Sequence, residues 1–211
     1  MNKRNNSKGN IFIALAKFHT WAFILGAVFL IIAGGMAYST FMEGKTAQDN
    51  AMDLLVRFEQ KTERQTSTDP KSTINTTLGF APKTIAVLNI DAINLNLPVL
   101  SEWSYELLDI SVCKYEGANP NEPGNFIIIG HNFLNGAHFG NLYLVKYGDI
   151  VDITDLTGRE EHYVVYEILL IKPDETDKLS TDEESTVTLV TCDYTGDMRL
   201  IIKCKKVTTA L

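Results

Sequence analysis

Residues 21 to 38, WAFILGAVFLIIAGGMAY, run for 18 positions without a charge. A helix rises 1.5 Å per residue, so roughly 20 apolar residues cross a bilayer core of about 30 Å. The apolar run IFIALA lies just upstream. Lys3, Arg4, Lys8 and Lys17 precede the span with no acid among them, and Glu43 is the first charge after it. The positive-inside rule then places the N-terminus in the cytoplasm and the rest of the chain outside. Trp21 and Tyr38 stand at the two ends, where interfacial aromatics belong. Two readings are open: an uncleaved signal-anchor over residues 11–40 behind a cytoplasmic segment 1–10, or a signal peptide cut near GMA. The run is long for a signal sequence, so the anchor is adopted: a single-pass protein of the cell membrane with its main domain extracellular.

Beyond the span, Ala51, Leu54, Leu55 and Phe58 recur at helical spacing among charges, which predicts a short amphipathic helix over 47–65. Residues 66–79, TSTDPKSTINTTLG, have the composition of a flexible spacer. Together, residues 41–82 read as an extracellular helical stalk and linker that lifts a domain, 83–211, off the membrane.

In that domain the pattern changes. TIAVLNI, NLNLPVL, NFIIIGH, DIVDITD, HYVVYEILLI, STVTLVTC and MRLIIKCKKV are short β-branched and aromatic runs separated by Gly, Asn, Pro or Asp. About seven or eight strands at this spacing predict an all-β barrel or sandwich. Only residues 101–110, SEWSYELLDI, look helical inside it. The net charge of −7 argues against a nucleic-acid binder, which needs a basic face for phosphates.

The chemistry gathers around TLVTCDYTGDMR. A strand ends on Cys192, turns through residues able to supply a positive φ at Gly196, and returns with Arg199. In an antiparallel hairpin these two face each other across the mouth, where Cβ atoms are roughly 4.5–5.5 Å apart. A guanidinium there favours a thiolate and holds a developing oxyanion. The proton carrier must be a histidine. His19 is at the membrane edge, His138 lies in a loop, and His162 opens a strand as a solvated edge residue would. His131 ends the run NFIIIGH, followed by Asn132, and is placed to line a cleft. Each has an ordinary explanation alone: a buried thiol, an edge arginine, a strand-end histidine. The triple is far more specific than its parts. No CxxC occurs among the three cysteines, which disfavours a zinc knuckle or a thiol oxidoreductase. Cys113 and Cys204 are either small buried hydrophobes or a disulfide pair.

These motifs resemble the sortases, the cysteine transpeptidases of Gram-positive cell surfaces. TLVTC fits their TLxTC motif, Arg199 follows as their arginine does, and NFIIIGHN is similar to their histidine segment. Phe139, Leu142, Gly148, Asp149 and Val151 match the family's F-x-x-L-x-x-x-x-x-GD-x-V pattern, and LNIDAINLNLPVL resembles the opening strand pair. The resemblance covers about residues 83–207. It implies a closed eight-stranded sortase β-barrel with short helices behind one transmembrane helix. It also implies thiol-protease-like transpeptidation of secreted proteins that carry an LPxTG-like sorting signal. Cys192 would be the nucleophile, His131 the acid–base and Arg199 the oxyanion partner, with Thr191 and Asn132 contacting substrate. The acceptor would be a peptidoglycan-precursor or pilin amine.

The chain departs from the family in places. LNIDAI lacks the usual proline, VCKYEG has Cys113 and Lys114 where a further histidine is common, and only six residues separate Cys192 from Arg199. No DPW-like lid is visible, and the stretch 171–187 is too short for a long helical insert. The sortase class stays open. No cofactor is expected. Calcium is known in some sortases, and Asp174, Glu175, Asp177, Asp182, Glu183 and Glu184 crowd one loop, but they show no ordered ligand spacing and a solvated charged loop is the better account of them. The rival function is a catalytically inactive, membrane-anchored barrel that binds extended peptides.

Overall fold

Beyond residue 83 the β-branched and aromatic residues favour extended backbone, and the strands they form close on themselves. The computed structural model describes residues 5–66, 83–181 and 185–207. Most of the expected spacer, the acids Asp182, Glu183 and Glu184, and the start of the expected cytoplasmic segment lie outside these residues. A long helix α1, Asn5–Thr66, comes first. The strands are β1 Thr84–Ile90, β2 Leu95–Leu100, β3 Val112–Gly117, β4 Gly124–Ile129, β5 Ile150–Asp155, β6 Glu160–Ile171, β7 Ser185–Cys192 and β8 Arg199–Lys206. They close as a barrel in the order β1-β2-β3-β4-β7-β8-β6-β5, with β5 pairing back to β1. Closure removes the unpaired edges that an open sheet exposes. The helix expected over 101–110 shrinks to one turn, α2 Tyr105–Leu108. The chain must enter β3 at Val112, and the buried Ser111 hydroxyl ties it there by donating to the Pro98 carbonyl at 2.6 Å.

Leu88, Val99, Phe126, Ile128, Ile153 and Leu189 fill the barrel interior with their neighbours. The F-x-x-L motif is structural, since Phe139, Leu142 and Val151 all point into this core. A second cluster forms outside the barrel, where Ile127, Val190 and Ile201 meet Ile171 at the end of β6 and Leu179 from the β6–β7 connection. This explains why β7 is buried on both faces. The threonines on β7 are satisfied: Thr186 and Thr188 donate to Asn125 Oδ1 at 3.0 and 2.8 Å, and Asn125 Nδ2 donates to the Leu179 carbonyl at 2.9 Å. Lys203 reaches the same connection, donating to the Ser180 carbonyl at 2.9 Å while pairing with Glu167 at 2.9 Å. Buried polar groups are tolerated when partnered in this way, and the connection is thereby pinned to the barrel.

The chain divides into two units, Met1–Glu43 and Gly44–Leu211. In the first, the side chains described between Trp21 and Tyr38 are apolar and nearly all exposed around the helix, and its span is long and apolar enough to cross a membrane. In the second, the structure departs from the expected stalk. Ala47, Ala51, Leu55 and Phe58 are buried, and Ala51 joins the main barrel cluster with Ile93, Leu95 and Leu97. The amphipathic face read from the sequence is covered by the barrel instead of standing clear of it. Cys113 and Cys204 are free thiols in two different clusters, so they act as small hydrophobes and form no disulfide.

His138, expected as a loop residue, is 4% exposed and adopts φ 47°. Its Nε2 faces the Ala47 carbonyl at 3.4 Å and so carries the proton, while Nδ1 is buried without a partner. Burial pushes its pKa down to about 4, helped by repulsion from His131 and opposed by the carbonyls of Ala47 and Ile110 and by Asp109. The unfolded chain therefore binds a proton at this residue between about pH 6.5 and pH 4 where the folded chain does not. Stability is present above that window and falls as pH drops through it, by an amount on the order of 3 kcal/mol. Denaturation of the full chain between pH 7 and 4 should show this slope, and His138→Gln should flatten it. An unchanged slope in the variant would mean other groups carry the acid sensitivity.

Candidate active site

Two strand pairings assemble the site. β4 and β7 run parallel, with Ile129 opposite Val190. Two residues further along each, His131 and Cys192 emerge at the same end of the barrel from neighbouring strands, which lie about 4.8 Å apart. β7 and β8 are antiparallel, and Cys192 directly opposes Arg199. The turn between them uses Gly196 at φ 80°, and Asp193 braces it by accepting from the Met198 amide at 3.1 Å and the Thr195 hydroxyl at 2.7 Å. The three side chains thus lie on three consecutive strands at one rim. All three line a single groove of about 330 Å³.

Cys192 is half-buried, whereas Cys113 and Cys204 are sealed in the core. Burial pushes the Cys113 thiol up to about 12 and the Cys204 thiol higher than its ordinary range. A thiolate is the reactive form, so Cys192 is the chemically accessible sulfur. One guanidinium nitrogen of Arg199, Nη1, donates to the carbonyls of Gly196 and Met198 at 3.0 and 3.1 Å. The fork is held against its own hairpin with the residue still lining the groove. His131 has Nε2 at 3.5 Å from Asp109 Oδ1 and its ring edge-on to Phe133 at 5.5 Å. Asp109 carried no motif in the sequence and reaches the site only because the turn after α2 passes the end of β4.

Asn132 and Thr191 are both at the site. Asn132 Nδ2 donates to the Cys192 carbonyl at 2.9 Å, clamping the backbone of that residue, and its buried Oδ1 has no partner. The Thr191 hydroxyl is buried and donates to the Gly130 carbonyl at 2.8 Å, so it joins β7 to the exit of β4. Its hydroxyl serves the scaffold, and the residue also lines the groove. The groove walls were not legible as such: Trp103, Tyr105 and Tyr115 come from the α2 and β3 region, while Ile171 ends β6 and Pro173 and Leu179 come from the pinned β6–β7 connection. An apolar groove with few polar groups at one end suits an extended peptide.

The other histidines are elsewhere. His162 is exposed on β6 and bonds Asp152 at 2.6 Å, and that hydrogen bond chiefly raises its pKa. The side chain of His19 lies outside the described residues. Asp152, Glu160 and His162 bring ligand-type atoms within 4.8 Å of one another, though the His162–Asp152 bond accounts for their closeness. Of the acidic loop considered for calcium, Glu175 accepts from the Lys172 amide at 2.8 Å and Asp177 pairs with Lys178. Among the described residues, no ligand group forms there.

Known proteins resemble this chain in sequence and fold. The Sortase domain matches residues 88–207. The Clostridium perfringens Sortase D5 transpeptidase is 26% identical with a TM-score of 0.57, covering 78% of this chain and 99% of its own. Sortase A from Corynebacterium diphtheriae is 20% identical with a TM-score of 0.57, over 83% and 97%. Streptococcus agalactiae sortase C1, solved in complex with MTSET, is 22% identical with a TM-score of 0.55, over 78% and 93%. The latter two speak to the fold alone. No curated protein matches the chain. With the barrel closed in this strand order and the Sortase domain spanning it, the chain belongs to the sortase family of cysteine transpeptidases.

Proposed function

We propose that this chain is an active sortase, held in the membrane by α1 with its barrel outside the cell. It would join secreted proteins bearing an LPxTG-like sorting signal to a peptidoglycan-precursor or pilin amine. One observation carries the reading: Cys192, His131 and Arg199 converge at one barrel rim and line one apolar groove. The sorting peptide lies extended in that groove with its scissile carbonyl at Cys192. The thiolate attacks the carbonyl carbon, and the oxyanion forms beside Arg199. His131 gives its proton to the departing amine as the C–N bond breaks, leaving a thioester on Cys192. An acceptor amine then attacks the thioester, its proton passes to His131, and the thiolate leaves. Asn132 keeps the Cys192 backbone fixed through both steps. Anchoring near lipid-linked acceptors raises their effective concentration over water.

The domain plan that accompanies this reading is a cytoplasmic segment 1–10, an anchor 11–40, a connecting segment 41–82 and a catalytic domain 83–211. The exposed apolar surface of the first unit supports it, since such a helix is unfavourable in water. Mass spectrometry of the mature protein should find the anchor retained. A mature N-terminus near Tyr38 would refute it.

The central test is turnover of a sorting peptide by the full chain with an added amine. Cys192→Ala should abolish it with the barrel still folded, and intact mass should locate the acyl group on Cys192 in the parent. His131→Ala should lose about 10²-fold to 10⁴-fold, the range of a general acid–base, whereas His162→Ala should lose little. Turnover by Cys192→Ala within tenfold of the parent would sink the assignment.

Arg199 provides a sharper discrimination. Its planar fork offers geometry as well as charge. Arg199→Lys should lose at least tenfold in kcat/KM, and Arg199→Ala should approach the roughly 10²–10³ lost with an oxyanion donor elsewhere. Because the residue is at a hairpin mouth, melting should change by less than about 0.5 kcal/mol. Near-normal kinetics for Arg199→Ala would leave Cys192 without its electrostatic partner.

A further inference from the structure

The segment that carries His131 and Asn132 does not trail into solvent. It doubles back, with the Phe139 amide donating to the His131 carbonyl at 3.0 Å and Asn132 bridging His138 as an antiparallel pair. The Phe133 ring stands between the two histidines, with centroids 5.5 Å from His131 and 5.1 Å from His138. The far side of this small hairpin rests on α1. His138 Nε2 donates to the Ala47 carbonyl, and Ala47 and Ala51 are 2% and 1% exposed. Gly44 faces the same hairpin: a Cβ there would collide with the Asn135 side-chain amide, which would have to move to admit a larger residue. Asn135 in turn accepts from the Ala137 amide at 3.1 Å, holding the turn that presents His138.

We infer that His138 is a positioning residue that couples α1 to the acid–base His131. This inference rests on the proposed role of His131. His131 is half-exposed and follows the last residue of β4, so strand pairing does not hold its ring. Connecting segments open locally at low free-energy cost, and a misplacement of about 1 Å costs on the order of 10²-fold in rate. The bridge to Asn132 and the stack on Phe133 carry the position of His138 to the adjoining His131. His138 touches neither substrate nor the reacting atoms. It acts by joining the hairpin to a helix that is anchored in the barrel core through Ala51.

The test uses the full chain in detergent and two readouts: turnover of a sorting peptide, and the pH profile of Cys192 alkylation by iodoacetamide, which needs no peptide. His138→Asn keeps a residue that tolerates positive φ but is too short to reach Ala47. It should lower kcat tenfold or more, leave KM within threefold, and shift the alkylation profile by at least about half a pH unit. His138→Gln, which keeps a donor of sufficient reach, should recover kcat to within threefold. In a His131→Ala background His138→Asn should cost less than twofold, because its effect passes through His131. Gly44→Leu, which changes only the α1 side, should reproduce the loss in kcat and also serves if His138→Asn fails to fold. Equal losses in both backgrounds, or an unshifted alkylation profile beside a fallen kcat, would make His138 a merely structural residue and overturn the inference. If the parent cleaves no sorting peptide, the proposed function fails while the alkylation profiles still decide whether His138 governs the Cys192–His131 pair.

Discussion

The parallel pairing of β4 with β7 is the constraint on which the rest of the structure depends. It brings together the ends of two strands about sixty residues apart, so that His131 and Cys192 leave the barrel side by side. Parallel neighbours cannot be joined by a tight turn. The chain between them is used to build β5 and β6, which close the barrel onto β1 and β8. Any register slip between β4 and β7 would move one residue of the pair without the other and turn side chains to the wrong face. Both faces of β7 are buried, which makes such a slip costly.

That double burial follows from the β6–β7 connection, which lies over the outer face of β7. Polar side chains hold it there: Asn125 bridges Thr186, Thr188 and the Leu179 carbonyl, and Lys203 joins the Ser180 carbonyl to Glu167. An unpartnered buried group of this kind costs about 1–3 kcal/mol, so the connection has one favoured seat. The same connection supplies a wall of the apolar groove through Pro173, Thr176 and Leu179. Groove shape and barrel stability therefore share their contacts.

α1 belongs to two environments. Its apolar, exposed stretch suits a lipid surround, whereas beyond Gly44 small residues let it settle against the barrel and the segment bearing His131. A stalk was expected there because the apolar positions Ala51, Leu54, Leu55 and Phe58 have helical spacing. The spacing is real, but periodicity reveals only that a face is covered, not what covers it. The buried neutral state of His138 is the electrostatic consequence of that covering.

The sequence alone determined what depends on neighbours along the chain. β-branched runs between turn residues set the strands, an uncharged stretch set the candidate span, and a six-residue turn with Gly196 set Cys192 opposite Arg199. The motif order also pointed to the family that the Sortase domain match shows. The tertiary structure decided what depends on residues far apart. It set His131 beside Cys192, brought Asp109 to His131, gave the Thr191 hydroxyl to Gly130, buried His138 against α1 and separated Cys113 from Cys204. Local propensity is written in adjacent side chains, and a hairpin is closed by its own turn. A contact across sixty or ninety residues exists only once the core has chosen which surfaces to bury, and that choice is made by the packed barrel as a whole.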